Sequence, residues 1–175
     1  MDFAAQLQSA TAGMDKDYFQ LPVYGKESSV YRERCYCYEL YHQLRKNWQT
    51  DFYKLCGEID KAGHPVIRGN TKPDFLIHVP EAMEYNFAVI EVKPINGRQQ
   101  GIAKDINTLR VYLDDANYEH AYYLIYGSEY SGRALEIATR LLQQINDSRI
   151  QLWHHRTAGI PAIQVNYMRL IEEAN

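Results

Sequence analysis

The segment Phe87–Lys93, FAVIEVK, constrains this chain more than any other. Its apolar residues occupy both alternating sets of positions, so an extended segment here needs cover on both faces and belongs inside a sheet. Its end is charged. Glu91 and Lys93 lie two residues apart and therefore project to the same face, while Val92 points into apolar packing on the other. A second apolar strand, DFLIHV, opens with Asp74. If the strands pair with Asp74 beside Glu91, two carboxylates meet next to an ammonium. Ionised carboxylates at close range repel, and removing each from water is costly. A divalent cation with hard oxygen ligands, Mg2+ or Mn2+, offsets both charges and carries water of lowered pKa. A simple Asp–Lys or Glu–Lys ion pair at a sheet edge is the other reading of this spacing.

Length and composition fit a single domain covering 1–175. The 175 residues are 46% hydrophobic and 23% charged, an ordinary globular balance with enough chain for a real core. The start, MDFAAQLQSA, has no signal-peptide pattern, and no apolar run reaches membrane-spanning length. Cys35, Cys37 and Cys56 lack CxxC spacing, so they read as reduced thiols of a cytoplasmic protein. A net charge of −3 gives no global signature of nucleic-acid binding, so any phosphate-binding surface must be a local patch. The 15 tyrosines finish a small core or offer faces for stacking.

Periodicity gives the element order. A short N-terminal helix and a loop fill an extension over residues 1–27. A long amphipathic helix follows at about 28–48, with Ser28 or Ser29 as its cap and Val30, Cys37, Tyr41, Leu44 and Trp48 at helical spacing. FYKLCGEID, DFLIHV and FAVIEVK are strands, with PEAMEYN as the loop between the last two. Residues 98–115 form a helix through Ile102, Ile106, Leu109 and Leu113. AYYLIYG is a buried strand and SGRALEIATRLLQQIND a helix; IQLWHH and AIQVNYM are closing strands. The expected fold is α/β, a central mixed sheet flanked by helices, with a core over 28–126 and a C-terminal helix and strands over 127–175.

Pro73-Asp74, sixteen intervening residues and then Glu91-Val92-Lys93 resemble the signature of the PD-(D/E)xK nuclease superfamily. This is the restriction-endonuclease-like fold of many restriction enzymes, resolvases and repair nucleases. The element order over the core is similar to that family's αβββαβ arrangement. The resemblance implies that Asp74 and Glu91 bind Mg2+ (or Mn2+), that the Val92 carbonyl adds a ligand, and that Lys93 positions the attacking water or neutralises the transition state. Many members add a glutamate from the first helix; Glu39 is the leading candidate and Glu33 the weaker one. Glu39 as an ordinary surface charge is an equal alternative. A polar residue of the helix after the triplet often lies near the scissile phosphate, and Gln100 and Lys104, four apart, share a face for this; Gln99 is a third choice. Glu58 is a ligand in place of Glu39, or more simply a sheet-edge charge.

Other chemistry has little support. His42 neighbours Glu39 on its helix, and His78 follows Asp74 by four residues, but neither sits in a metal-ligand spacing; His154 and His155 lie on a late strand. No phosphate-cradling GxxxxGK[ST], GxGxxG or GxSxG motif is present. Arg68, Lys72, Arg98, Lys104 and Arg110 are available for a local phosphate patch. The leading expectation is a Mg-dependent nuclease acting on nucleic acid, DNA before RNA. A homodimer or a partner subunit would supply specificity, with the C-terminal strands as an interface. The alternative is a catalytically silent nucleic-acid-binding or accessory protein on the same fold.

Overall fold

The computed structural model describes residues 1–58, 66–67 and 71–168. Its centre is a six-stranded mixed sheet, ordered β1-β2-β3-β4-β5-β6. The strands are β1 (Lys54–Gly57), β2 (Phe75–Val79), β3 (Ala82–Pro94), β4 (His120–Tyr126), β5 (Ile150–His155) and β6 (Ile163–Val165). The first three form an antiparallel meander, β3–β4 and β4–β5 are parallel, and β6 returns antiparallel on β5. Parallel neighbours require crossovers, and α4 (Gln99–Asp115) and α5 (Ala134–Ile145) provide them. Before the sheet come α1 (Phe3–Ala12), α2 (Lys16–Phe19) and α3 (Glu33–Lys46).

The alternation along β3 divides the core. Ala88, Ile90 and Val92 join Phe3, Leu7, Leu40 and Leu44 of α1 and α3 in one apolar layer. Val89 joins Ile102, Ile106, Leu109 and Leu142 of α4 and α5 in the other. The segment FAVIEVK is thus covered on both faces, as its composition requires. By the same alternation Glu91 and Lys93 lie on the α4 face.

Three boundaries differ from the sequence expectation. The segment PEAMEYN is not a loop. Val79 pairs with Ala82, so Pro80 and Glu81 make a two-residue turn and β3 begins at Ala82. Glu81 has φ +67° there, the left-handed conformation of the second central residue in a type II turn, with Pro80 at the first. The long helix starts at Glu33 rather than near Ser28. Leu21 and Val30 exchange both backbone hydrogen bonds at 2.9 Å, which holds the residues before it extended. The last strand is confined to Ile163–Val165.

An aromatic cluster fixes α3 over the sheet. Tyr36 stacks on Tyr126 with ring centres 3.8 Å apart. Its hydroxyl lies 2.7 Å from His155 Nδ1 in the interior, joining α3 to the ends of β4 and β5. Gly127 follows β4 with φ +118°, and a Cβ there would sit 2.6 Å from Ile95 Cγ2 and 2.9 Å from Tyr31 Cζ. Gly127→Ala combines a disfavoured backbone with overpacking and is expected to cost about 2 kcal/mol or more. Urea unfolding, with an unchanged m value and a lowered midpoint, checks this.

Candidate functional site

The site is built where β2 begins and β3 ends. Phe75 pairs with Ile90 in the β2–β3 ladder, so one step outward Asp74 lies opposite Glu91 on the same face. Asp74 is anchored there: the Val92 N–H donates to its Oδ2 at 2.7 Å. A strand residue directs its N–H and C=O towards the same neighbour, so the Val92 carbonyl also faces beyond the start of β2, beside Asp74.

Lys93 stands on the same face. Its Nζ donates to Glu33 Oε2 at 2.8 Å and pairs with Asp105 Oδ2 at 2.9 Å. Glu33 comes from the first turn of α3, held over the sheet by the Tyr36 stack. Asp105 comes from α4 and also accepts from the buried Tyr123 hydroxyl at 3.3 Å. Tyr123 pairs with Glu91 across the parallel β3–β4 ladder. Gly97 makes room for this lysine: a Cβ on it would lie 2.7 Å from Lys93 Cγ. Two carboxylates, Glu33 and Asp105, thus hold the ammonium, and Asp74 and Glu91 lie near enough to feel its charge.

The electrostatics follow from burial and like charge. Burial pushes the Asp74 carboxyl up to about 7, with Glu33 and Asp105 adding to the shift and the Val92 N–H and Lys93 opposing it. Glu91 is 6% exposed. Burial raises its pKa well above the usual carboxylate range, and Asp74 and Asp105 raise it further. Asp105 is raised by burial against the pull of Lys93. Burial works against the Lys93 ammonium, but Asp105 and Glu33 outweigh it and hold the group protonated.

The structure brings together Asp74, Glu91, Val92 and Lys93. Glu39 accepts from Gln43 Nε2 at 2.7 Å, one turn along α3 and away from the lysine. Glu33, not Glu39, is the α3 glutamate at Lys93. Gln100 and Lys104 are exposed on α4. Glu58 ion-pairs with Lys72 and Arg34. His42 is exposed, and His78 lines a cavity at the hairpin end of the sheet; Arg68 lies outside the described residues. Asp105 was missed, although a signal exists: it lies three residues after Ile102 and four before Leu109, inside the apolar stripe of α4. Glu33 carries the same signal, one turn before buried Cys37.

Among the described residues no group of three or more His, Cys, Asp or Glu side chains could hold a metal ion. Two carboxylates and a main-chain carbonyl, completed by water, nevertheless suit Mg2+, which takes one or two protein carboxylates and keeps several waters. The repulsion that raises the Asp74 and Glu91 pKa values is what a cation between them would relieve. Comparison with family models, characterised proteins and solved structures finds no match.

The raised carboxylates make stability depend on pH. In the unfolded chain both titrate near 4; in the fold Asp74 titrates near 7, and burial beside Asp74 raises Glu91 well above its ordinary range. The folded state therefore binds the extra protons, and the stability they supply is complete below pH about 4 and lost as pH rises through about 7. In chelator, stability is expected to fall from pH 5 to pH 8, and Asp74→Asn to remove about 1–3 kcal/mol of that fall. Denaturant midpoints of both proteins across this range provide the measurement.

Proposed function

We propose that this chain is a divalent-metal-dependent nuclease that hydrolyses phosphodiester bonds, with DNA as the first substrate to test. The observation that carries the reading is the convergence of Asp74, Glu91 and Lys93 on one face at the C-terminal end of β3. The order α3-β1-β2-β3-α4-β4 supports it, being the αβββαβ order of the family that the motif resembles. Ligand sites in open α/β sheets also collect beyond the carboxyl ends of the parallel strands.

The roles follow from the chemistry of the residues. Asp74, Glu91 and the Val92 carbonyl would hold Mg2+ or Mn2+. Such an ion supplies water of lowered pKa and offsets phosphate charge. Asp74 is kept in place by the Val92 amide, so its free oxygen keeps a fixed direction. Lys93 is held protonated and aimed by Glu33 and Asp105. In that state it is a donor that can orient the nucleophile or stabilise charge developing on the phosphate. The terminal strand β6, where Ile163 is exposed, is the edge through which a homodimer or partner subunit would add specificity.

A second reading is favoured by one observation. Lys93 already donates to Glu33 and Asp105, and a protein that binds nucleic acid without cutting it, or serves as an accessory subunit, would keep such a closed cluster.

Incubation with supercoiled plasmid, linear duplex, single strands and RNA separates the two, with Mg2+, Mn2+ or chelator in parallel. Cleavage is expected only with metal, and Asp74→Ala and Lys93→Ala should each lower it about 100-fold or more. Activity that survives both substitutions would sink the assignment, and no cleavage under any metal would favour the silent protein. Mg2+ should also raise the Tm of the wild-type protein at pH 8 and leave that of Asp74→Asn unchanged, as thermal melts with and without the ion will show.

A further inference from the structure

Beside the carboxylates, the same helix builds a second feature. Arg34, Cys37, Tyr38 and Tyr41 follow one another at helical spacing on α3, so they form one column facing the start of β2 and the end of β1. Tyr41 lies over Phe75, with ring centres 6.3 Å apart and planes 17° from parallel. Tyr38 is 61% exposed. Between them is a recess of about 260 Å³, lined among the described residues by Tyr38, Tyr41, Gly57, Glu58, Asp74 and Phe75. Gly57 contributes no side chain over the edge of the Phe75 ring. A second recess of about 170 Å³ is lined by Glu33, Arg34, Glu58, Lys72 and Asp74. The two share Glu58 and Asp74, so the aromatic slot adjoins the Asp74 carboxylate.

The mouth of the slot carries cations. Lys72 donates to Glu58 at 3.0 Å, and Arg34 lies 3.3 Å from the other Glu58 oxygen. Both cations remain substantially exposed. Glu58 therefore holds an arginine and a lysine at the entrance to an aromatic recess, next to the atoms that would bind a phosphate's metal. Aromatic faces with a basic rim are the means by which unpaired bases and their phosphates are bound without sequence readout. A base inside a duplex is stacked on both faces and cannot enter; an unstacked base at an end, overhang or bulge can.

We propose that the Tyr38–Tyr41–Phe75 recess is a nucleobase subsite, which takes an unpaired base next to the phosphate addressed by Asp74 and Glu91, with Arg34 and Lys72 on the flanking phosphates. This rests on the nuclease reading for the role of the neighbouring carboxylates, and deepens it: the substrate class is nucleic acid with unpaired nucleotides, and blunt duplex is disfavoured.

The test reads binding apart from cutting. The 175-residue chain, in chelator, is titrated into single-stranded DNA and RNA oligonucleotides carrying one 2-aminopurine, and into blunt and overhanging duplexes with the same label. Stacking on tyrosine quenches this base. Quenching is expected with single strands and overhangs and not with blunt duplex. Tyr38→Ala is expected to weaken it about five- to tenfold, and Tyr38→Phe to restore it. Tyr130→Ala, at an exposed tyrosine outside the recess, should leave the quenching in place. Absence of quenching, or quenching that Tyr38→Ala leaves untouched, overturns the subsite, and cleavage of duplex by that same protein would show that the nuclease reading stands without it. Quenching by a protein that cuts nothing with Mg2+ or Mn2+ supports the subsite and removes the nuclease. Because Tyr38 is exposed, its truncation leaves the core intact, and unchanged melting of the variant excludes misfolding as the cause.

Discussion

The pairing of Phe75 with Ile90 is the contact on which the candidate site depends. It sets which residue of β3 stands beside Asp74, and a slip of one position would turn every side chain of β2 to the opposite face. The register is protected from both sides. Leu76 must meet the α4–α5 layer, and Phe75 and Ile77 the α1–α3 layer. Towards the turn the ladder shifts register between Ile77 and His78 and again between His78 and Val79, so these buried faces, not the turn, hold the pairing of Phe75–Ile77 with Ala88–Ile90. Beyond Phe75 the ladder changes character: the Val92 amide, with no β2 backbone to meet, takes the Asp74 side chain instead. A ladder hydrogen bond is replaced by a side-chain bond, and that substitution aims a carboxylate at the sheet's end.

The cluster is costly for the fold. Glu91 and Asp105 are nearly buried, and buried like charges oppose one another strongly. Lys93 relieves part of this by bridging Glu33 and Asp105, but it does not neutralise Asp74 and Glu91. An apolar pair at those two positions would pack the ends of β2 and β3 with less penalty. A chain selected for stability alone has no use for two carboxylates opposed in the interior, whereas one that binds a cation does. Tyr123 adds to the argument, since its hydroxyl is spent on Asp105 and so on the lysine's partner, not on the backbone.

The centre of the fold was legible because its signals are local. FAVIEVK demands cover on both faces, and the α4 and α5 stripes demand a sheet to lie on. Asp74, Glu91 and Lys93 were legible for the same reason, as charges interrupting apolar runs at a spacing of two. What failed depended on distant partners. Residues 28–32 suit a helix by composition, but the Leu21–Val30 bridge holds them extended. PEAMEYN reads as a loop because its residues are polar; it forms strand from Ala82 on, with Glu84 and Tyr85 exposed where the β2–β3 ladder shifts register. The choice of Glu39 over Glu33 followed the apolar side of the helix, where Glu39 instead finds Gln43. The lysine lies near the end of β3, where α3 meets it with its first turn through Glu33. Asp105 is a carboxylate inside the buried stripe of α4, and its role depends on Lys93 and Tyr123, both distant in sequence.

The first helix after the N-terminal extension therefore has three tasks distributed around its circumference. Tyr36, Leu40 and Leu44 bury one face and, through the Tyr126 stack and His155, fix the helix relative to the ends of β4 and β5. Glu33 uses that fixed position to reach Lys93 from across the sheet. Arg34, Tyr38 and Tyr41 turn a third face towards β1 and β2, where the aromatic recess meets Asp74. Because these faces share one rigid rod, the distance between the recess and the lysine cannot change without unpacking the Tyr36 layer. Such coupling is needed where a base must be held while the adjoining phosphate is presented to reacting groups, since small displacements of the phosphate weaken any advantage of orientation. The aromatic core around Tyr36 is in this sense part of the site, though none of its rings touches the carboxylates' solvent face.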